Sequence, residues 1–294
     1  KNAELEQQQE EILAQRDELS RQKDLAEEQR DQISKQKEEI MDSIYYAKRI
    51  QNAILPPKEV LSSIIPESFI LYLPRDIVSG DFYWIKKIEN NIIIATADCT
   101  GHGVPGAFMS MLGVSLLNEI VLRNAKNLVA GQILNELRTS VVTSLHQTGK
   151  LEEAKDGMDM SLYILDVKNH KLQFSGAFNS MAICRGEEII DLPADRMPIG
   201  IFEEDKETPF STHFFEPQLG DIMYTYSDGY ASQFGGPNGK KFKQSRFENL
   251  LQTIKDKPMN EQKNILDITL KTWMGVKYAQ IDDIIVIGIK YIWE

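Results

Sequence analysis

The chain has only two cysteines, Cys99 and Cys184, and four histidines. Two thiols are too few for a disulfide framework or a thiolate metal cage. They suit a reducing compartment, so a cytoplasmic location is expected. No stretch approaches the roughly 20 uninterrupted apolar residues that a membrane span needs. The N-terminus is charged and Gln-rich, with no apolar signal-peptide segment. Positive charge is in deficit too: 33 Lys and Arg against 44 Asp and Glu leave a formal net charge of −11. That balance argues against nucleic acid as the main partner, because phosphate backbones attract clustered Lys and Arg. A solvated acidic surface accounts for the excess, and so would carboxylates gathered around a divalent cation. The first residue is Lys rather than Met, and the chain is expected to be a fragment whose remainder carries a sensor or a membrane anchor.

Proline and glycine are absent before Pro56, which permits one helix of ~75 Å at 1.5 Å per residue. Cut into sevens, one core position holds Leu5, Ile12, Leu19, Ala26, Ile33 and Ile40. The other holds Gln8, Gln15, Gln22, Gln29 and Gln36. A seven-residue apolar repeat predicts a left-handed coiled coil, and one apolar residue per heptad predicts a weak one. The first domain is therefore read as a coiled-coil regulatory helix over 1–55, a homodimer able to shift register or rotation. A solvated linker is the alternative. Pro56 and Pro57 end the helix.

From Phe69 the pattern becomes short β-rich runs, near 69–73, 82–88, 91–97, 161–167, 171–175, 181–185, 188–192, 213–215, 221–227 and 284–289. Helical periodicity covers 103–124, 132–146, 244–255 and 261–273. Strands, two helices, many strands, two helices and one strand predict an α+β domain over 56–294, an antiparallel β-sandwich flanked by helix pairs.

Four aspartates stand at the ends of apolar runs. They are Asp81 in Ser-Gly-Asp-Phe-Tyr, Asp98 in Asp-Cys-Thr-Gly-His-Gly, Asp228 in Ser-Asp-Gly, and Asp282 in Asp-Asp-Ile-Ile. A carboxylate closing a hydrophobic strand needs a turn, a helix cap or a cation to offset its desolvation. Asp-Gly is ordinary turn chemistry at any one of these places. Four together favour all-oxygen ligation of a hard cation, Mg²⁺ or Mn²⁺.

These four segments, in this order over about residues 68–291, resemble the PPM (protein phosphatase 2C) family in its bacterial SpoIIE/RsbU-like branch. The resemblance implies the PPM phosphatase fold and a binuclear Mn²⁺ or Mg²⁺ centre serving a protein serine/threonine phosphatase. By position, Asp98 would bridge two metals, with the backbone carbonyl of Cys99 on one and Asp228 and Asp282 on the other. Asp81 would orient a water. Asp156 and Asp159 are candidates for a third, looser metal, against a plain turn. Arg75 is a candidate phosphate clamp, or a surface ion pair with Asp76. His102 is a candidate general acid, or a helix-entry residue. The implied partner is a phosphorylated protein, such as an anti-sigma-factor antagonist, with a helix beside the site controlling activity. Two other readings remain: a catalytically silent module that binds a partner, and an enzyme acting on a small phosphate ester. No nucleotide-binding glycine signature supports the latter.

Overall fold

The computed structural model describes residues 2–150, 155–202 and 207–293. They form two compact units, Lys1–Ala47 and Lys48–Glu294. The boundary lies inside helix α1 (Asn2–Ile54), so the last turns of that helix belong to the second unit. The first unit is helix alone, and Leu5, Ile12, Leu19, Ile33 and Ile40 of the heptad stripe are all exposed.

In the second unit, α2 (Lys58–Ile64) precedes β1 (Ser68–Leu73), β2 (Phe82–Ile88) and β3 (Asn91–Cys99). Helices α3 (Gly103–Arg123) and α4 (Ala130–Ser144) follow. Then come β4 (Gly157–Asp166), β5 (Lys171–Ala177), β6 (Met181–Arg185), β7 (Glu188–Leu192), β8 (Ile199–Gly200), β9 (His213–Phe215) and β10 (Ile222–Tyr226). A short helix α5 (Gly229–Ser232) leads to the hairpin β11 (Phe234–Gly235) and β12 (Lys240–Lys241). Helices α6 (Gln244–Ile254) and α7 (Met259–Met274) and strand β13 (Ile284–Lys290) complete it.

Two antiparallel sheets result, ordered β1-β13-β10-β6-β7 and β2-β3-β4-β5-β9, with β8 beside β4. Strand side chains alternate between faces, and every second residue meets the opposite sheet. Ile92 and Ile94 of β3, Tyr163 and Leu165 of β4, and Ile285, Ile287 and Ile289 of β13 share the central core. The intervening Ile93, Ala95 and Ala97 pack under α3 and α4. Ile284 and Val286 pack under α6 and α7. The result is a four-layer sandwich with a helix pair on each outer face, as the element order predicts. Helix α3 is apolar and long enough to cross a membrane, but 50% of its apolar window is buried in this fold.

Four short elements are not legible in the sequence: helices α2 and α5, strand β8 and the β11–β12 hairpin are too short for a periodic signal. Strand β4 begins at Gly157 rather than near Ser161, because 157–159 pair with β3 and with β8.

Candidate metal centre

Alternation also places the acidic residues. Asp98 continues the inward series Ile92, Ile94, Thr96 on β3, and Asp159 continues Tyr163, Ser161 on β4. Asp81 has the parity of Tyr83 and Ile85, Ser227 that of Met223 and Thr225, and Asp283 that of Ile285 and Ile287. The apolar series therefore ends in polar groups at one mouth of the sandwich. Below that mouth Thr96 Oγ1 and Thr225 Oγ1 join the two sheets at 2.7 Å.

Asp98, Asp159, Asp228 and Asp282 line one cavity of about 390 Å³, together with Cys99, Thr100, Gly101 and His102. Asp98 and Asp159 are directly paired across β3 and β4. Like charges facing one another there are destabilising unless something of opposite charge intervenes. Burial, together with Asp228, Asp282 and Asp159, pushes the Asp98 carboxyl up to about 8. Burial and Asp228 push Asp159 up to about 7. Asp282 is raised as well, by burial first. No lysine or arginine lines the cavity.

Asp81 does not reach the cavity wall. It is 1% exposed, accepts a hydrogen bond from Ser227 Oγ at 2.6 Å, and is pushed well up by burial and by Asp98. It lies behind Asp98. Asp156 is likewise absent from the cavity lining; its backbone carbonyl accepts from Gln147 Nε2 at 2.6 Å. The two acids of that segment thus separate, Asp159 to the cavity and Asp156 outside it.

Asp283, passed over beside Asp282, anchors the loop that carries Asp81. Its carboxylate accepts from the backbone N–H of Arg75 and of Gly80, both at 2.7 Å. Inward parity with Ile285 was the sequence signal for it. Gln51, in the last turn of α1, carried no such signal. It is 3% exposed and clasps the Ser79 backbone, donating to its carbonyl at 2.6 Å and accepting from its N–H at 3.2 Å. Its Nε2 also donates to Ser110 Oγ on α3 at 2.9 Å.

Arg75 is exposed and makes no side-chain ion pair among the described residues; Asp76 pairs with His102 instead. His102 Nδ1 lies 2.8 Å from Asp76 Oδ2. A carboxylate only accepts, so Nδ1 carries the proton and Nε2 is left free. The Cys99 thiol is buried, and burial followed by Asp98 holds its pKa well up, which removes it as a nucleophile.

Residues 88–292 match the family described as Stage II sporulation protein E (SpoIIE). That match covers well over half of the chain. The chain belongs to the SpoIIE family. Among solved structures, the SiaA-PP2C domain of Pseudomonas aeruginosa is 32% identical, with a TM-score of 0.78, covering 87% of this chain and 98% of that one. This SpoIIE-family chain therefore carries a PPM-type phosphatase domain with the PP2C fold. Stage II sporulation protein E of Bacillus subtilis is 26% identical over 70% of this chain and 23% of its own length. The phosphoserine phosphatase RsbU of the same organism is 24% identical over 65% of this chain and 54% of its own length. The chain thus spans about a quarter and about half of these curated relatives.

Family membership implies dependence on a divalent metal. The donor set fits one: all-oxygen, acidic, and short of compensating positive charge. Among the described residues no three acid, histidine or cysteine side chains close to ligating distance. The carboxylates of this SpoIIE-family site share a cavity without forming a finished cage.

Proposed function

We propose that the chain hydrolyses phosphoserine or phosphothreonine on a partner protein, using two divalent cations, Mn²⁺ or Mg²⁺. The observation that carries this reading is the convergence of Asp98, Asp159, Asp228 and Asp282 on one cavity without a lysine or arginine. When bound, such cations supply charge neutralisation at the phosphoryl group and acidify water. Asp98 would hold both cations, the Cys99 carbonyl one of them, and Asp228 and Asp282 the other. Asp159 would serve the third, weaker position. Asp81, tethered by Ser227, would steady the Asp98 carboxylate from behind.

The remaining groups bind and move protons. The Arg75 guanidinium, on a loop whose backbone Asp283 pins, would clamp phosphoryl oxygens as a bidentate donor. His102, with Nδ1–H held by Asp76, would in its doubly protonated form hand the Nε2 proton to the departing serine oxygen. The expected substrate is a small phosphoprotein of the anti-sigma-factor-antagonist kind.

Regulation would enter through α1. Its exposed stripe of Leu5, Ile12, Leu19, Ile33 and Ile40 suits pairing with a second copy. Gln51 passes any displacement of the last turns to Ser79, two residues before Asp81. Sedimentation of the full chain beside a chain starting near Ser43 checks this; identical mass class and identical turnover would sink the regulatory reading.

The deciding experiment is Mn²⁺-dependent phosphate release from a phosphoserine peptide. Asp98→Ala should lose it by at least about a thousandfold, with the fold intact by circular dichroism. Failure of the unaltered chain to release phosphate would favour the catalytically silent module.

A further inference from the structure

In a chain with 11 more acidic than basic residues, the stretch 229–247 contains no Asp or Glu and four cations, Lys240, Lys241, Lys243 and Arg246. All four are exposed, and none pairs with a carboxylate among the described residues. They crowd the β11–β12 hairpin and the start of α6. Like charges repel, so the cluster carries a cost that the fold alone does not explain.

The cluster is built, not loose. The Arg246 guanidinium lies 4.4 Å from the Trp273 ring and 5.5 Å from Phe242, which fixes its position. Two adjoining cavities, about 290 and 640 Å³, share Phe242, Arg246 and Trp273 as a common wall. The first is flanked by the lysines; the second is an apolar groove between α6 and α7.

The cluster also adjoins the catalytic mouth. Lys241 Nζ donates to Ser232 Oγ at 3.4 Å, and Ser232 Oγ donates to Asp228 Oδ2 at 3.2 Å. Asp228 lines the metal-site cavity. At roughly 3.3 Å per residue, an extended peptide with its phosphorylated residue in that cavity brings side chains a few positions away onto the hairpin.

We propose that Lys240, Lys241, Lys243 and Arg246 dock an acidic segment of the phosphoprotein substrate next to its phosphorylated residue, with the Trp273 groove taking an adjoining apolar side chain. The inference rests on the phosphatase reading for the identity of its partner. Its occupant is an acidic protein segment because the cradle is cationic, walled by aromatics and linked to the catalytic cavity through Lys241, Ser232 and Asp228. Charge selection here would complement a catalytic cavity that is itself acidic and so gives a flanking carboxylate no other favourable place.

The test uses the full chain. Fluorescence anisotropy compares an unphosphorylated Asp/Glu-rich peptide with its Asn/Gln counterpart. The acidic peptide should bind roughly tenfold more tightly at low salt and lose most of that advantage as salt rises. The double variant Lys240→Glu, Lys243→Glu should lose the preference, and Lys240→Arg, Lys243→Arg should keep it. With Mn²⁺, the ratio of kcat/KM for acidic over neutral phosphopeptides should follow the same pattern; as a ratio, it is insensitive to a general loss of turnover. Equal affinity for both peptides, or a preference that survives the Glu variant, overturns the proposal. So does tighter binding of a DNA duplex or of phosphatidylserine vesicles than of the acidic peptide. Absence of all hydrolysis would strike the phosphatase reading alone, since anisotropy still decides the docking.

Discussion

Gly80, Gly101 and Gly106 meet where the loop after β3 passes the loop before β2. A Cβ on Gly80 would stand 2.5 Å from the Gly101 carbonyl oxygen, and one on Gly106 would overlap that oxygen and the Gly80 Cα. Neither spacing is tolerated between backbones, so two motif glycines are there for packing and not for turn freedom. Gly106→Ala should therefore cost on the order of 2–3 kcal/mol, seen as a lower midpoint in urea with an unchanged slope. Because the same contact positions Asp81 against Asp98, activity should fall further than stability. Gly229 is under a similar constraint, since a Cβ there would collide with the Asp283 carbonyl.

At the scale of elements, period-two alternation explains two of the four cavity acids, Asp98 and Asp159, and the two acids behind them. A strand whose odd residues face the core must send its next odd residue the same way, even beyond the last paired position. Asp81, Asp98, Asp159 and Asp283 obey this, so their convergence follows once the strands are registered. The runs ending at Asp81, Asp98 and Asp282 were visible as strands. The start of β4 was not, because Gly157 and Asp159 carry no β-propensity of their own; pairing with Gly200 holds the first and pairing with Asp98 the second. Gln51 shows the converse. A glutamine among other glutamines in a heptad helix is unremarkable until the helix end meets the Ser79 backbone. Gln51→Ala would strand a buried N–H and a buried carbonyl, at about 1–3 kcal/mol. A lower melting temperature and a higher Mn²⁺ requirement for turnover are expected, the second measured by metal titration of the initial rate.

For the whole molecule, the acidic mouth is a stability cost that a cation offsets. The folded-state pKa values of Asp98, about 8, and Asp159, about 7, lie above the ordinary value of 3.8. Between about pH 4 and 8 the native state then binds more protons than the unfolded chain. Stability accordingly falls as pH rises through that window. Metal-free protein should melt lower at pH 8 than at pH 5.5, by roughly 5 °C for a domain of this size. Mn²⁺ should raise the melting temperature more at pH 8, where the carboxylates are ionised, than at pH 5.5. Calorimetry in chelator, then with added Mn²⁺, checks both; a metal-free protein more stable at pH 8 would contradict the clustered-carboxylate account.

What the amino-acid order determined by itself was the set of elements and the chemical type of the site. Local periodicity writes strands and helices into neighbouring residues, and acids closing apolar runs announce oxygen ligands. Only the tertiary structure decided which acids share a cavity. It put Asp159 in and left Asp156 out, moved Asp81 behind the wall, made Asp283 an anchor, and set Gln51 and the 240–246 cations beside the loops they serve. Those assignments depend on contacts between residues distant in the chain. Side chains one or two positions apart, alike in composition, are separated by the face on which the folded backbone presents them.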